Sequence, residues 1–200
     1  MIDYLDLLDK KVLIWIHENC SNSVLNILMP LITDEGNWVI FIFLLIIFLA
    51  NQLGKKGKIA LALLIISLSL TDLACAQILK PYFERIRPSH LNLDGLNLLV
   101  PKGGKWSMPS NHAANIFSFA VILSYFYNKL RYPLFGLAFL IAFSRIYVGV
   151  HYVGDVIVGA FIGYCISWLI LTFWVILKMR ELKRGKTWVW YQKDPPIYKI

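Results

Sequence analysis

Three short segments of this 200-residue chain carry side chains suited to phosphate chemistry. The first leaves an apolar stretch with Lys80 and ends on Arg87 and Pro88. The second is Pro109-Ser110-Asn111-His112, immediately before a new apolar run. The third begins at Ser144-Arg145 and continues through His151 to Asp155. Lys80, Arg87 and Arg145 supply cations, and the guanidinium groups can grip phosphate oxygens with two prongs. The Pro109–His112 segment reads as a helix start, where free backbone N–H groups and the helix dipole favour an anion. His151 and Asp155 are four residues apart, so on a helical segment they share a face. Asp155 can then hold one imidazole nitrogen while the other attacks phosphorus. His112 remains as a general acid for the departing oxygen.

The elements that must position these groups are membrane helices. The chain is 58% hydrophobic and 16% charged, well away from the roughly 25% charged residues of soluble domains, and its mean hydropathy is +0.61. A disordered, collagenous or disulfide-stapled chain is excluded. Cys20, Cys75 and Cys165 are isolated and read as small apolar fillers. The expected fold is an all-α, polytopic membrane helix bundle of about five transmembrane helices, at 36–53, 59–79, 113–127, 133–150 and 153–177, preceded by N-terminal interfacial helices. A sixth span over 12–32 is the alternative. The expected domains are 1–35 (interfacial), 36–177 (transmembrane) and 178–200 (a basic cytoplasmic tail). Asp3, Asp6 and Asp9 precede the first lysine, the wrong polarity for a cleavable signal peptide.

The formal net charge is +8. Most Lys and Arg lie near residues 55–58, at 129–131 and in the tail, which assigns that side to the cytoplasm. The 80–108 loop is then extracytoplasmic although it too is basic, and that misplaced charge needs a chemical reason. Asp72, inside a span, is expected to pair with one of the site cations, or else to make an interhelical hydrogen bond in its protonated form. Trp38, Trp106, Tyr147 and Tyr152 are expected to form the outer aromatic belt.

The order and spacing of the three segments resemble the type 2 phosphatidic acid phosphatase superfamily, whose pattern is KxxxxxxRP, PSGH and SRxxxxxHxxxD. Lys80, Arg87, Pro88, Pro109, Ser110, His112, Ser144, Arg145, His151 and Asp155 match it in type and spacing. Asn111 stands where the family has glycine, which bears on substrate preference. The resemblance covers roughly residues 59–177 and implies a membrane lipid phosphatase. In that reading His151 becomes a phosphohistidine, with His112 as acid and then base and Asp155 supporting His151. Lys80, Arg87, Ser110, Asn111 (through its backbone N–H) and Arg145 bind the phosphate. It implies no metal and no cofactor. The expected partner is a phospholipid, prenyl-phosphate or lipid A substrate in the bilayer, namely undecaprenyl diphosphate, lipid A 1-phosphate, phosphatidylglycerophosphate or phosphatidate, with no nucleic acid. The expected location is a bacterial inner membrane, with the site facing outward and the oligomeric state open. Transfer of phosphate to a second lipid, vanadate-dependent haloperoxidase chemistry and a non-catalytic anion channel or transporter are the alternatives.

Overall fold

The computed structural model describes residues 2–51 and 54–189, with side chains from Asp6 onward. Helices α1 (Ile2–Asn19) and α2 (Ser23–Thr33) open the chain, and Asn22 caps α2 by accepting the Leu25 N–H at 2.9 Å. A 3₁₀ turn, Glu35–Trp38, leads into α3 (Val39–Asn51). Next come α4 (Gly54–Leu73), a π-helical stretch at Ala74–Leu79 and the short α5 (Lys80–Phe83). Helices α6 (Asn111–Phe126), α7 (Arg131–Tyr147) and α8 (Val153–Lys183) complete the bundle.

Among the described residues three helical stretches are long and apolar enough to cross a membrane: Gly54–Phe83, Asn128–Tyr147 and Val153–Lys183. Helix α6 is equally apolar in character but has only 16 residues, short for a bilayer core of about 30 Å. A break at Asp34 precedes the expected first span, 36–53, and separates it from α2. Residues Ser23–Thr33 and Glu35–Asn51 together are long enough, but they meet at 66°. Pro30 lacks a backbone donor within α2, and Asp34 stops the helix by capping Gly36 at 3.0 Å. The outer surface of α3 is apolar from Val39 to Phe48, as lipid contact requires.

Lipid offers no hydrophobic drive between helices, so close packing and polar contacts must hold the bundle. Helix α6 sits in the centre, against α4, α7 and α8. Gly159 and Gly163 form a small-residue face on α8, where an added Cβ would collide with the carbonyls of Ser110 and Ala114. Deeper in the bundle, Ser67 of α4 lies 2.8 Å from both Ser118 of α6 and Ser167 of α8, all fully buried. These contacts fix the start of α6 beside the start of α8, and the second and third sequence segments meet there.

Two of the expected belt aromatics belong to the core instead. Tyr147 and Tyr152 are 2% and 1% exposed. Tyr147 donates to Asn26 at 2.7 Å, and Tyr152 lies under the Arg85 guanidinium. Their hydroxyl or ring face has a specific partner inside the protein, which a headgroup would otherwise have to supply.

Overpacking the α6–α8 contact is expected to cost about 1–3 kcal/mol. Gly163→Ala should therefore lower the thermal midpoint in detergent. Gly136→Ala in α7, where a Cβ meets nothing within 4 Å, should leave the midpoint unchanged or slightly raised.

Candidate active site

The site forms where the connection between α7 and α8 folds under the outer loop. Helix α7 stops at Tyr147, and Gly149, at φ +83°, turns the chain so that the amides of Val150 and His151 both return to the Arg145 carbonyl, at 3.3 and 3.2 Å. A side chain at Gly149 would be strained by its φ and would press on the Asn97 carbonyl. The turn leaves His151 1% exposed at the head of α8.

Asp155 organises the surroundings of His151. It occupies the first turn of α8 and accepts the Tyr152 backbone N–H at 2.8 Å, as a helix-capping carboxylate does. The same oxygen accepts a short hydrogen bond from Ser107 Oγ and lies 3.4 Å from His151 Nδ1. Its other oxygen accepts from Arg85 Nη1 at 2.8 Å. Ser107 Oγ is also 3.3 Å from His151 Nδ1. With Nδ1 engaged by these acceptors, Nε2 is left with its lone pair. Burial, joined by the charges of Arg87 and Arg145, pushes His151 down to about 4 despite the opposing pull of Asp155. This direction favours the neutral imidazole at pH 7, the form a nucleophilic histidine needs.

The first segment reaches this point through a change of backbone. A π-helical stretch precedes Lys80, and α5 ends at Glu84 in a left-handed conformation, φ 47°. Residues 85–87 then run extended against 105–107: Arg87 N donates to the Lys105 carbonyl at 3.1 Å and Ser107 N to the Arg85 carbonyl at 2.7 Å. Within this pairing Arg85 and Arg87 take different partners. Arg85 binds Asp155, Asp9 at 2.8 Å and Asp6 at 2.9 Å, and stacks 4.1 Å above the Tyr152 ring. Arg87 donates Nε to the Trp106 carbonyl at 3.0 Å and is 8% exposed.

The remaining phosphate-binding candidates carry unspent hydrogen-bonding capacity. Arg145 is 8% exposed; one of its Nη groups donates to Thr33 Oγ1, yet its buried Nε has no partner. Ser110 is fully buried, and its hydroxyl also lacks a partner. Leaving a buried donor unmet costs about 1–3 kcal/mol, and an anionic oxygen would satisfy both. The Ser110 amide is already committed to the Asp155 carbonyl, at 3.0 Å. Asn111 opens α6, so its backbone N–H has no acceptor within the helix. Lys80 makes no ion pair among the described residues, and it, Arg87, Arg145 and His151 all lie within electrostatic reach of His112.

The structure thus brings all eight sequence-derived site residues to one end of the bundle. Of the two expected roles of Asp72, the structure shows the interhelical hydrogen bond, its carboxylate accepting from the Asn111 side chain at 2.7 Å, while it also interacts electrostatically with Lys80. Several neighbours were not foreseen. Arg85, Ser107, Asp6, Asp9 and Thr33 support the site, and Glu35 Oε1 lies 3.0 Å from His112 Nε2. Asp6 and Asp9 lie three apart on the charged N-terminal half of α1, beside Asp3, Lys10 and Lys11, and so gave no local hint of this role. No spacing rule links them to Arg85.

Comparison with known proteins agrees with this arrangement. The family model described as the PAP2 superfamily matches residues 59–178. The chain is 29% identical over 176 residues to a lipid A 4′-phosphatase of Bacteroides thetaiotaomicron, covering 84% of this chain and 78% of that protein. It is 33% identical over 153 residues to an undecaprenyl-diphosphatase of Sulfolobus acidocaldarius, covering 74% and 69%. Among solved structures it resembles the first transmembrane PAP2-type phosphatidylglycerolphosphate phosphatase from Bacillus subtilis, with a TM-score of 0.67 and 25% identity over 92% of this chain and 89% of that one.

Arg85→Gln removes the charge facing Asp155 without touching a phosphate-binding group. It should lower kcat at least about tenfold with little change in KM, as loss of orientation does. In the wild type, protonation of His151 abolishes its nucleophilicity, so activity is present above its pKa and lost below it. The acid limb of a kcat/KM profile should accordingly fall closer to 4 than to the ordinary histidine value of 6.5.

Proposed function

The chain belongs to the PAP2 superfamily and is a membrane lipid phosphatase, and we propose that it cleaves its lipid phosphate through a phosphohistidine on His151 at the extracytoplasmic face. The observation that carries the route is a buried His151 whose Nδ1 lies against Asp155 and Ser107, at the same end of the bundle as two buried donors, Ser110 Oγ and Arg145 Nε, that lack acceptors.

His151 Nε2 attacks phosphorus in line. The P–N bond forms as the bond to the lipid oxygen breaks, and His112 delivers its proton to that oxygen. Burial and the site cations otherwise hold the His112 imidazole down to about 3, and it is able to carry charge once the phosphate offsets those cations. Water then gives a proton to His112 and attacks phosphorus. The P–N bond breaks, its electron pair returns to Nε2, and inorganic phosphate leaves. Lys80, Arg87 and Arg145, with Ser110 and the Asn111 amide, hold the equatorial oxygens as charge shifts between entering and leaving groups. Three cations offset the phosphate charge, so the route calls for no metal. The lipid orientation fits as well, with the headgroup at the polar end of the bundle and the chains along its apolar surface.

Similarity to a lipid A 4′-phosphatase over most of the chain supports a lipid A-type phosphomonoester as substrate, and similarity to an undecaprenyl-diphosphatase supports a prenyl diphosphate. The outward orientation in a bacterial inner membrane is supported by the basic residues at the opposite end of the bundle, Lys55, Lys56, Lys129 and Arg131, which suit a cytoplasmic surface.

Purified protein in detergent with EDTA should release inorganic phosphate from at least one of lipid A, undecaprenyl diphosphate, phosphatidylglycerophosphate and phosphatidate, and His151→Ala should release none. Release by His151→Ala at the wild-type rate, or no release by a monodisperse wild type, would overturn the proposal.

A further inference from the structure

The turn between α2 and α3 supplies two contacts to the site. Thr33 accepts from Arg145, and two residues later Glu35 holds His112 Nε2 at 3.0 Å. Both residues follow from the break at Asp34. The 3₁₀ turn capped by that side chain swings Glu35 over the start of α6. Glu35 also interacts electrostatically with Arg145. An acidic side chain at a phosphate-binding site runs against its cationic character, and nothing in the three sequence segments calls for it.

The position of Glu35 fixes which substrates it affects. In the proposed route, on which this inference rests, His112 gives its proton to the leaving oxygen. The group carrying that oxygen must therefore pass beside whatever lies at His112 Nε2, and that is the Glu35 carboxylate. An alcohol leaving group brings no charge to this point. The leaving group of a diphosphate is itself a phosphate and brings negative charge against a carboxylate.

We propose that Glu35 is a specificity determinant that selects phosphomonoesters, whose leaving group is a neutral alcohol, over diphosphates. It does so by repulsion, raising the barrier for the wrong leaving group while adding little to the right one. Its side chain is 82% exposed, so solvent and salt screen the effect to a moderate factor. Asp72 keeps a second carboxylate at the same helix start, held on Asn111. That Asn111–Asp72 pair adds to the acidic character of this wall.

The test is the ratio of kcat/KM on undecaprenyl diphosphate to that on monophosphoryl lipid A. It is measured with the full-length protein in detergent for wild type, Glu35→Gln, Glu35→Asp and His151→Ala. Wild type should prefer the monoester. Glu35→Gln should raise the ratio by about three- to tenfold, and Glu35→Asp, which keeps the charge, should stay within about twofold of wild type. A wild type that prefers the diphosphate, a Glu35→Gln ratio equal to wild type, or equal losses on both lipids would overturn the assignment while leaving the phosphohistidine route standing. A Glu35→Asp ratio that follows Glu35→Gln would overturn it as well, because shape rather than charge would then decide. Activity retained in His151→Ala, or a wild type silent on both lipids, would overturn the route and this inference with it.

Discussion

A carboxylate buried at the end of an apolar bundle has to be neutralised on every side, and Asp155, fully buried, determines much of what surrounds it. Its partners are Arg85, the Ser107 hydroxyl, the Tyr152 amide and His151. They come from different parts of the chain, so the ion cannot be satisfied until those parts have met. Arg85 brings its own demand for anions, met by Asp6 and Asp9, and Asp9 also receives the Gly154 amide at 2.9 Å. Removing one member of such a buried charge pair typically costs about 3–5 kcal/mol, because the other is left uncompensated. The first helix is tied to the catalytic end by this electrostatic requirement as much as by its packed residues Leu13 and Ile16.

The phosphate side of the site has the opposite balance. Lys80, Arg87 and Arg145 are not neutralised as Arg85 is, and Ser110 and Arg145 each keep a buried donor unused. Burial and the Arg87 and Arg145 charges also favour the unprotonated form of His151, so in the proposed route the charge that binds phosphate also prepares the nucleophile. One end of the bundle thus holds a closed network around Asp155 next to an open one, and the open one is completed by an anion with several acceptor oxygens.

Helix contacts deeper in the bundle keep the two networks in register. Gly159 and Gly163 let α8 approach the backbone of α6, and the buried Ser67, Ser118 and Ser167 hydroxyls satisfy one another where no water competes. Because His151 precedes α8 and His112 lies in the first turn of α6, the spacing of these helices sets the spacing of the two imidazoles. The family's usual glycine beside His112 is replaced here by Asn111, and its side chain is drawn away to Asp72. The backbone amide of Asn111 is not displaced by that contact.

Much of this was written in the chain itself. Apolar runs long enough to span lipid established a helical membrane protein. The spacing of Lys80 and Arg87, of Ser110 and His112, and of Arg145, His151 and Asp155 picked out the candidate groups that the fold gathers at one end of the bundle, because each set lies within a few helical turns or one loop. The broken helix at Asp34 was less legible, since its composition suits either an interfacial piece or part of a span. Arg85 counted only as loop charge, because its carboxylate partners Asp6, Asp9 and Asp155 lie on two other helices and reach it only in the folded chain. Asp6, Asp9, Thr33 and Glu35 lie far from every motif, and their roles arise only when α1 and the α2–α3 turn fold onto the site. Local spacing was enough to mark the candidate groups for the proposed reaction. Tertiary structure alone decided what holds and screens them, because buried charges take their partners from whichever segments packing brings within about 3 Å.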